Sequence, residues 1–322
     1  MTTPSSPSSP DWLRPLGATG LHVTALSVGG GPLGSIPRQD GREGAQDDGV
    51  ALAAYVLESP CRVLDTSNGY SGGESERRIG AAVALRGGLP DDYLVMTKVD
   101  PRGADYSGER VRASVAESKQ RLGLDTLPLV FLHDPENFDF DTMAAPGGAV
   151  DTLMRLREEG EIGHVGLAGG PAPEMQRYLA LGGFEVLLVH NRWTLVDRSA
   201  GALLDQAEQA GIPLVNAAVH GGGILAKPGT TTQYAYHEAD PVVLAAVDAM
   251  ARLCEQHGTT LATAALQASV RDPRVTTTLV GLSSPARLDS LLGSLEEDLP
   301  DDLFTGLEEL RPAPEHWLEP PA

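Results

Sequence analysis

The chain has 322 residues, of which 41% are hydrophobic and 21% charged, so it can bury a substantial core and is expected to be a soluble globular protein. Its net charge of −20 argues against a nucleic-acid partner, because binding to a phosphate backbone depends on clustered lysine and arginine. The two cysteines, Cys61 and Cys254, lie far apart in the sequence; they favour a reduced, cytoplasmic setting and give no sign of a metal site.

The first stretch, residues 1–12, is rich in proline and serine and contains no apolar core. It has the features of neither a signal peptide nor a membrane anchor, and we expect it to be a disordered tail. No linker or shift in composition divides the chain after this point. We therefore expect residues 13–322 to form a single domain with no membrane association.

Short apolar runs and stretches of helical character alternate along this domain. The predicted strands are TALSV, CRVLD, YLVMTKV, LPLVFLH, HVGLAG, VLLVH, IPLVNAAV and TTTLVGL. The predicted helices include residues 47–59, 75–86, 108–123, 149–160, 172–182, 201–211 and 241–258. Several of these helices end at glycine, as helix C-caps prefer.

Apolar runs without polar alternation indicate strands that are covered on both faces. Eight such strands alternating with helices in about 300 residues predict an α/β fold, a (β/α)8 TIM barrel. A doubly wound sheet is the alternative. In a barrel the functional groups lie at the carboxyl ends of the strands.

Polar residues end or directly follow three successive predicted strands. Asp65 follows Arg-Val-Leu, Lys98 lies in the run that begins at Tyr93, and His133 ends the next run. Each residue alone could be an ordinary loop or cap residue. Together with Tyr70, they predict a cluster at the barrel mouth.

From about Arg14 to Gly293 the chain resembles the aldo-keto reductases. The segment RPLGATGLHVTALSVGGGPLG is similar to the family's N-terminal β-hairpin and first strand, and LDTSNGYSGGESERRIG is similar to its D-T-x-x-x-Y-G-x-x-S-E-x-x-[IL]-G block. MTKV and FLHDPE correspond to the segments that carry the family's lysine and histidine. The resemblance implies a catalytic tetrad of Asp65, Tyr70, Lys98 and His133.

This tetrad is chemically reasonable for proton transfer to a carbonyl oxygen that receives hydride. A phenol with a pKa near 10 is a poor acid or base unless its surroundings shift that pKa. We expect Lys98 to lower the pKa of Tyr70, Asp65 to hold the ammonium group, and His133 to orient or polarise the substrate oxygen. The alternative is a structural Asp–Lys ion pair beside a buried tyrosine and histidine.

Ser71 offers a competing interpretation, because residues 69–73 fit the G-x-S-x-G pattern of a serine hydrolase. A nucleophile elbow needs its serine directly after the strand, and Ser71 comes too late. The HGGG segment at residues 220–223 resembles an oxyanion-hole motif but follows the serine, whereas that motif should precede it. A third possibility is a cofactor-binding regulatory subunit, since a fold does not determine a function.

Residues 29–34 match the dinucleotide-binding pattern G-x-G-x-x-G, but Pro32 and the residues after it are typical of a loop. We expect instead a glycine-rich loop at the barrel mouth in which Gly30 lies near the nicotinamide. The segment GLSSPARLDSLL resembles the family segment that grips the adenosine end of NADP. The resemblance implies cofactor contacts from Ser283, Ser284 and Arg287, and we expect Asp65 to contact the cofactor as well.

Other positions differ from the family pattern around the cofactor. Gly281 stands where the family often has lysine or arginine, so either NADP(H) or NAD(H) is expected. Ala168 and Gly169 replace a Ser-Asn pair that binds the carboxamide, and His190 occupies the usual glutamine position. Ala217 stands where many relatives stack an aromatic ring on the nicotinamide.

These departures resemble a branch of the family, the aldose 1-dehydrogenase and pyridoxal 4-dehydrogenase type. That resemblance implies oxidation of a lactol or hemiacetal to a lactone, with a sugar or a hydroxylated aldehyde or ketone as small-molecule substrate. Asn68 and Trp193 are expected to contact the substrate beside Tyr70 and His133, although Trp193 could equally belong to the core. A general NADPH-dependent carbonyl reductase is the alternative, and we expect a monomer or a small homo-oligomer.

Overall fold

A computed structural model describes residues 5–36 and 47–320. Within these ranges the strands are, in chain order, β1 (Leu13–Pro15), β2 (His22–Thr24), β3 (Leu26–Gly29), β4 (Val63–Asp65), β5 (Leu94–Val99), β6 (Leu127–His133), β7 (Ile162–Gly169), β8 (Val186–His190), β9 (Leu214–Ala217), β10 (Gln233–Tyr234), β11 (His237–Glu238) and β12 (Val275–Gly281).

The α-helices of the described residues are α1 (Asp48–Glu58), α2 (Glu74–Arg86), α3 (Gly108–Leu122), α4 (Phe140–Ala144), α5 (Ala149–Glu158), α6 (Ala172–Leu179), α7 (Gly201–Gln209), α8 (Pro241–Gln256), α9 (Leu261–Val270), α10 (Pro285–Glu296) and α11 (Asp301–Glu309). Short 3-10 helices lie at Gly31–Ser35, Tyr70–Gly73, Pro135–Asn137, Gly221–Gly223 and Pro314–His316.

Eight parallel strands close into a barrel in the order β12-β3-β4-β5-β6-β7-β8-β9. These are the eight predicted strands, and α1, α2, α3, α5, α6, α7 and α8 correspond to the predicted helices. The (β/α)8 barrel is therefore confirmed, and the doubly wound sheet is wrong. The strands carry continuous apolar runs because side chains inside the barrel fill its core and those outside pack against the helices.

The interior of the barrel is a packed core. Its largest members, Phe131, Met96 and Leu129, each have 0% of their surface exposed. Such packing leaves no channel through the barrel, so a ligand can enter only at an end.

The antiparallel hairpin of β1 and β2 covers the amino-terminal end of the barrel. Leu16 and Val23 from this hairpin belong to the interior cluster. Gly17 has a φ of +57°, and a Cβ there would lie 2.7 Å from Cδ of Pro213, which directly precedes β9. The hairpin therefore fits closely only with glycine at this turn, and the carboxyl end of the barrel remains open.

Residues 5–12 make specific contacts in the structure. The Trp12 indole is 8% exposed and its Nε1 donates to the Pro60 carbonyl at 3.1 Å. Arg14 Nη2 donates to Ser5 Oγ at 2.5 Å. These contacts argue against disorder as far as residue 12, while residues 1–4 lie outside the described part of the chain and the single-domain boundary stays a prediction.

Candidate active site

A cavity of ≈ 480 Å³ opens at the carboxyl end of the barrel. Its lining comes from the ends of the strands and the loops that follow them: Gly29, Gly31, Pro32, Asp65, Tyr70, Lys98, His133, Asp134, Ala168, Leu188, His190, Ala217, Ala218, Tyr236, Leu279 and Gly281. The predicted cluster of Asp65, Tyr70, Lys98 and His133 thus lies in one cavity.

Asp65 and Lys98 form a buried ion pair at the bottom of this cavity. Each side chain is 2% exposed, and Lys98 Nζ donates to both carboxylate oxygens of Asp65 at 2.7 Å. A third bond joins Nζ to the Thr66 carbonyl, also at 2.7 Å. Burial disfavours the ammonium, but the charge of Asp65 outweighs it and raises the pKa of Lys98 overall.

Tyr70 lies on the 3-10 helix that follows β4, where the chain turns sharply into α2. Ser71 and Gly72 have φ values of 50° and 64°, a left-handed turn that aims the Tyr70 side chain into the cavity. Lys98 Nζ lies 3.3 Å from the Tyr70 hydroxyl oxygen and 4.8 Å from the centre of its ring. The ammonium therefore contacts both Asp65 and Tyr70, with the carboxylate closer.

Lys98 lowers the pKa of Tyr70, as expected, but it does not decide the direction of the net shift. Burial raises the pKa of Tyr70, and although the charge of Lys98 opposes this, the nearby Asp65 carboxylate raises it further. The net pKa lies above the ordinary value of 10.0. Burial of the hydroxyl therefore outweighs the stabilisation that the Lys98 ammonium gives to the phenolate.

His133 faces Tyr70 across the cavity, with ring centres 5.8 Å apart and an interplanar angle of 77°. Its Nδ1 lies 2.7 Å from Oδ1 of Asp100, the residue directly after β5. The other oxygen of Asp100 accepts the Gly69 backbone N–H at 2.6 Å and the Ser67 hydroxyl. Asp100 was not predicted from the sequence, yet it joins His133 to the loop that carries Tyr70.

Asp100 is ionised at neutral pH. Burial alone would raise its pKa, but the hydrogen bonds from His133, Ser67 and Gly69 lower it overall. An ionised carboxylate can only accept hydrogen bonds, so the proton shared with His133 belongs to Nδ1.

One flank of the cavity is anionic and its polar groups are incompletely paired. Asp134 Oδ1 and Glu136 Oε2 are buried without a hydrogen-bond partner among the described residues. His190 Nε2 lies 3.6 Å from Asp134 Oδ1, while its Nδ1 accepts the Asn191 side-chain amide at 3.1 Å. Asp134, Glu136 and His190 offer ligand atoms within 4.8 Å of one another, but the expectation of no metal stays a prediction.

The expected cofactor residues divide into three groups. Asp65, His190, Ala217 and Gly281 line the cavity. Gly30 does not: a Cβ there would lie 2.7 Å from the Asp65 carbonyl oxygen, so this glycine allows the loop to pack on β4.

Ser283, Ser284 and Arg287 follow Gly281 at the start of α10, just beyond the cavity. Ser284 is the N-cap of this helix, and its hydroxyl accepts the Arg287 N–H at 3.3 Å. The guanidinium of Arg287 forms no ion pair with any residue in the ranges 5–36 and 47–320.

Asn68 does not contact the cavity, contrary to expectation. Its amide nitrogen donates to the Ser114 carbonyl at 3.2 Å and to Glu117 at 3.1 Å, and its oxygen accepts from Arg110 at 3.3 Å. All three partners belong to α3. Asn68 therefore anchors the loop after β4 to this helix and is not placed to bind substrate.

Trp193 is also placed away from the cavity. The indole is 6% exposed, and its Nε1 donates to Asp272 at 2.9 Å. The guanidinium carbons of Arg198 and Arg274 lie 4.5 Å and 4.4 Å from the ring centre. Of the two interpretations of Trp193, the structure favours the core residue.

An aromatic ring that was not predicted stands at the cavity mouth. Tyr236 is 72% exposed and lies at the tip of the hairpin formed by β10 and β11. The two turn residues, Ala235 and Tyr236, have φ values of 49° and 71°, a left-handed conformation that glycine and asparagine usually occupy in such turns. Strain of this kind concentrates at functional sites.

The competing motifs have ordinary structural roles. Residues 31–35 of the glycine-rich segment form a 3-10 helix rather than the expected loop, and no α-helix begins within the glycines. The residues after it, 37–46, lie outside the described part of the chain. His220 of the HGGG segment is buried, and its Nε2 bonds the Ala262 carbonyl at 3.1 Å.

Residues 26–312 match the aldo/keto reductase family. L-galactose dehydrogenase from Arabidopsis thaliana is 30% identical over 88% of this chain and 88% of its own length. D-threo-aldose 1-dehydrogenase from a Pseudomonas species is 27% identical over 92% of this chain and 97% of its own.

The fold is likewise similar to the holo form of an aldo-keto reductase from Bacillus halodurans. The TM-score is 0.75 at 21% identity, covering 93% of this chain and 96% of the other. The family match over residues 26–312 and the 30% identity to L-galactose dehydrogenase settle the wider classification. The chain belongs to the aldo/keto reductase family and is an oxidoreductase enzyme.

Proposed function

We propose that this protein transfers hydride between a nicotinamide dinucleotide, NADP(H) or NAD(H), and the lactol carbon of a sugar-like substrate. The observation that carries the proposal is the position of Lys98 Nζ, 2.7 Å from Asp65 and 3.3 Å from the Tyr70 hydroxyl, beside His133 in one cavity. Asp65, Tyr70, Lys98 and His133 are the proposed catalytic residues. This arrangement can hold a substrate oxygen and exchange a proton with it.

The residues around the cavity fit a nicotinamide dinucleotide. Asp134 lines the cavity, and its unpaired oxygen can accept a hydrogen bond from the amide of a carboxamide group. Arg287, with Ser283 and Ser284, would hold the 2′-phosphate of NADP at the start of α10, where helix N–H groups also favour anions. A bound nicotinamide supplies or accepts the hydride.

The chain's own residues would act on the substrate oxygen. Tyr70 O–H and His133 Nε2 are proposed to contact it from two sides, because their rings meet edge to face at the cavity. Lys98 holds the Tyr70 hydroxyl in place, and Asp65 keeps Lys98 charged. The buried setting strengthens these electrostatic contacts by excluding water.

The proposed substrate is a cyclic, hydroxylated hemiacetal. Two relatives that align over most of this chain are named for oxidation of galactose and threo-aldose. The cavity supports this class, because acidic and imidazole groups at Asp134 and His190 can accept or donate hydrogen bonds to hydroxyls. The Tyr236 ring adds an aromatic face of the kind that stacks on sugars.

An absorbance screen tests this function. Initial rates of nicotinamide reduction should rise with L-galactose, L-fucose, D-arabinose or pyridoxal, using both cofactors. Brisk reduction of aldehydes without oxidation of any cyclic hemiacetal would instead indicate the alternative, a general NADPH-dependent carbonyl reductase.

We also propose a cytoplasmic monomer or small homo-oligomer. No described helix is both long and apolar enough to cross a bilayer.

Substituting Arg287 should change cofactor selectivity. Loss of a charge-assisted phosphate contact is worth roughly 1.5–3 kcal/mol, so Arg287→Ala should raise the KM for NADP about tenfold or more. The KM for NAD should stay nearly unchanged, because NAD lacks the 2′-phosphate. Steady-state kinetics with each cofactor measures this, and equal weakening of both would show that Arg287 holds the loop or the adenine instead.

Removing the Tyr236 ring should weaken sugar binding. A stacking ring is worth roughly 0.5–1.5 kcal/mol, so Tyr236→Asn should raise the KM for the sugar about twofold to tenfold. Asparagine tolerates the left-handed backbone at this turn, so the change isolates the ring. Tyr236→Phe should behave like the wild type, whereas a rise in the cofactor KM alone would place the ring on the nicotinamide.

A further inference from the structure

We propose that Arg121, which lies outside the cavity on α3, is a positioning residue that holds the turn carrying Tyr70 against the strand carrying Lys98. The inference rests on the proposed function, in which the Tyr70 hydroxyl contacts the substrate oxygen. Arg121 touches neither the substrate nor the cofactor in this proposal. It acts through the position of Tyr70.

The turn that carries Tyr70 has an unusual backbone. Three consecutive residues, Ser71, Gly72 and Gly73, have φ values of 50°, 64° and 86°. The left-handed conformation is unfavourable for a residue with a side chain such as Ser71, so a turn of this shape persists only where its surroundings hold it. Contacts from α3 provide that support.

The guanidinium of Arg121 contacts the turn on both sides of Tyr70. Before Tyr70, Nη1 donates to the backbone carbonyl of Asn68 at 2.9 Å. After Tyr70, the guanidinium packs against the backbone of Gly73, where an added Cβ would overlap Nη1 and Cζ. One planar group thus holds both ends of the segment from which the Tyr70 side chain enters the cavity.

Glu76 joins Arg121 to the strand of Lys98. Nη1 of Arg121 donates to Glu76 Oε2 at 3.1 Å, and Glu76 Oε1 accepts the Thr97 hydroxyl at 2.7 Å. Glu76 lies in the first turn of α2 with its side chain 0% exposed. Thr97 directly precedes Lys98 on β5, and successive side chains of a strand point to opposite faces. Hydrogen bonds on the outside of the barrel therefore connect the Tyr70 turn to β5.

A second carboxylate fixes the direction of the guanidinium. Glu117 Oε2 lies 3.4 Å from Nη2 of Arg121 and accepts from Arg110 Nη2 at 2.8 Å. Hydrogen bonding by Arg110, above all, lowers the pKa of Glu117 to about 2, so Glu117 is ionised at neutral pH. The fork of Arg121 can donate to Glu76, Glu117 and the Asn68 carbonyl together, whereas the single nitrogen of a lysine cannot span these acceptors.

The distance that this network controls is the one between Tyr70 and Lys98. The hydroxyl oxygen and Nζ are 3.3 Å apart, and a hydrogen bond weakens steeply when its geometry is lost. A displacement of roughly 1 Å at a reacting group can cost about 10²-fold in rate. The proposed phosphate contact at Arg287 lies at the start of α10, so the cofactor should still bind when the turn moves.

Arg121→Lys tests the network, because it keeps the positive charge beside Glu76 but loses the fork. In sugar oxidation kcat should fall about tenfold or more, while the affinity for the reduced cofactor, measured by fluorescence, stays unchanged. Arg112→Lys is the matched control, since Arg112 lies on the same helix and pairs with Glu159, each 44% exposed. Equal losses of kcat in the two variants would contradict the proposal.

Combining Arg121→Lys with Tyr70→Phe separates positioning from a general loss of structure. If Arg121 acts through the Tyr70 hydroxyl, the double variant should turn over as fast as Tyr70→Phe alone. A further tenfold fall in the Tyr70→Phe background would show a merely structural role. If circular dichroism shows Arg121→Lys to be unfolded, Glu76→Gln with Arg121→Gln takes its place, because that pair of changes removes both charges of the ion pair.

Fluorine NMR of the full-length protein tests the positioning without any turnover. Protein labelled with 3-fluorotyrosine should give a Tyr70 signal that is assigned by its loss in Tyr70→Phe. Arg121→Lys should shift or broaden this signal, and Arg112→Lys should leave it in place. An identical Tyr70 signal in Arg121→Lys and the wild type would overturn the inference. Absence of any sugar oxidation by the wild type would count against the proposed function, while the NMR result would still decide whether Arg121 positions Tyr70.

Discussion

Replacing Tyr70 with phenylalanine should lower turnover by about 10²-fold or more in both directions. The change removes the Tyr70 hydroxyl, which lies 3.3 Å from Lys98 Nζ and is the only side-chain hydroxyl that bonds this ammonium among the described residues. The ring itself can keep its packing against His133. The loss should appear in kcat rather than in the affinity for the cofactor. Steady-state kinetics with a sugar and with a small aromatic aldehyde measures it.

Ser71→Ala is the natural control for this variant. Ser71 neighbours Tyr70 on the same 3-10 helix, and its backbone φ of 50° is equally unusual for alanine and serine. The alanine variant should keep most of the wild-type turnover. A dead Ser71→Ala enzyme beside an active Tyr70→Phe enzyme would contradict the reductase chemistry and revive the hydrolase interpretation.

Replacing Lys98 with methionine should destabilise the protein and abolish most of its activity. The change leaves the Asp65 carboxylate buried, at 2% exposure, without its counter-ion. Breaking a buried ion pair in this way costs roughly 3–5 kcal/mol. Urea unfolding monitored by circular dichroism should show the loss as a lower midpoint, and the Tyr70 hydroxyl would lose its only charged donor among the described residues.

A double variant separates the charge from the packing. Asp65→Asn combined with Lys98→Met should be less destabilised than the sum of the two single changes, because no buried charge is left unpaired. The exposed pair of Arg112 and Glu159 gives a matched control, since each side chain is 44% exposed. Arg112→Met should hardly move the midpoint, and a Lys98→Met variant as stable as this control would contradict the buried pair.

The barrel could be predicted because its physical signals are local and repeated. Each interior strand is covered on both faces, so it appears in the sequence as a short continuous apolar run such as LPLVFLH. The intervening helices end at glycines such as Gly87 and Gly123, both in the left-handed conformation that C-caps favour. The strained hairpin of β10 and β11 has only two residues in each strand and lacks the Asn-Gly turn that would have signalled it.

Most of the site residues could also be predicted, from their positions at the carboxyl ends of the strands. Asp65, Lys98 and His133 were found because the carboxyl ends of parallel strands converge, and Asp100 obeys the same rule, since it directly follows β5. The end of β5 thus carries two functional side chains, Lys98 and Asp100, and a single polar residue at each strand end would not predict the second. Its partner His133 indicates Asp100, because a partly buried histidine needs an acceptor for its ring N–H.

Side-chain direction was the information that the sequence could not supply. Asn68 lies in the same loop as Tyr70, yet its amide turns away to Arg110 and Glu117 on α3. The net pKa of Tyr70 was equally out of reach, because it depends first on the burial of the hydroxyl and then on the opposing charges of Lys98 and Asp65.

Transfer of a deuterium label tests the central claim most directly. L-galactose deuterated at its anomeric carbon would be incubated with the enzyme and oxidised cofactor, and the products analysed by mass spectrometry and NMR. We predict a lactone without the label and a reduced nicotinamide that carries one deuterium. Unlabelled reduced nicotinamide, or no lactone from this or any other cyclic hemiacetal while aldehydes are reduced rapidly, would contradict the account.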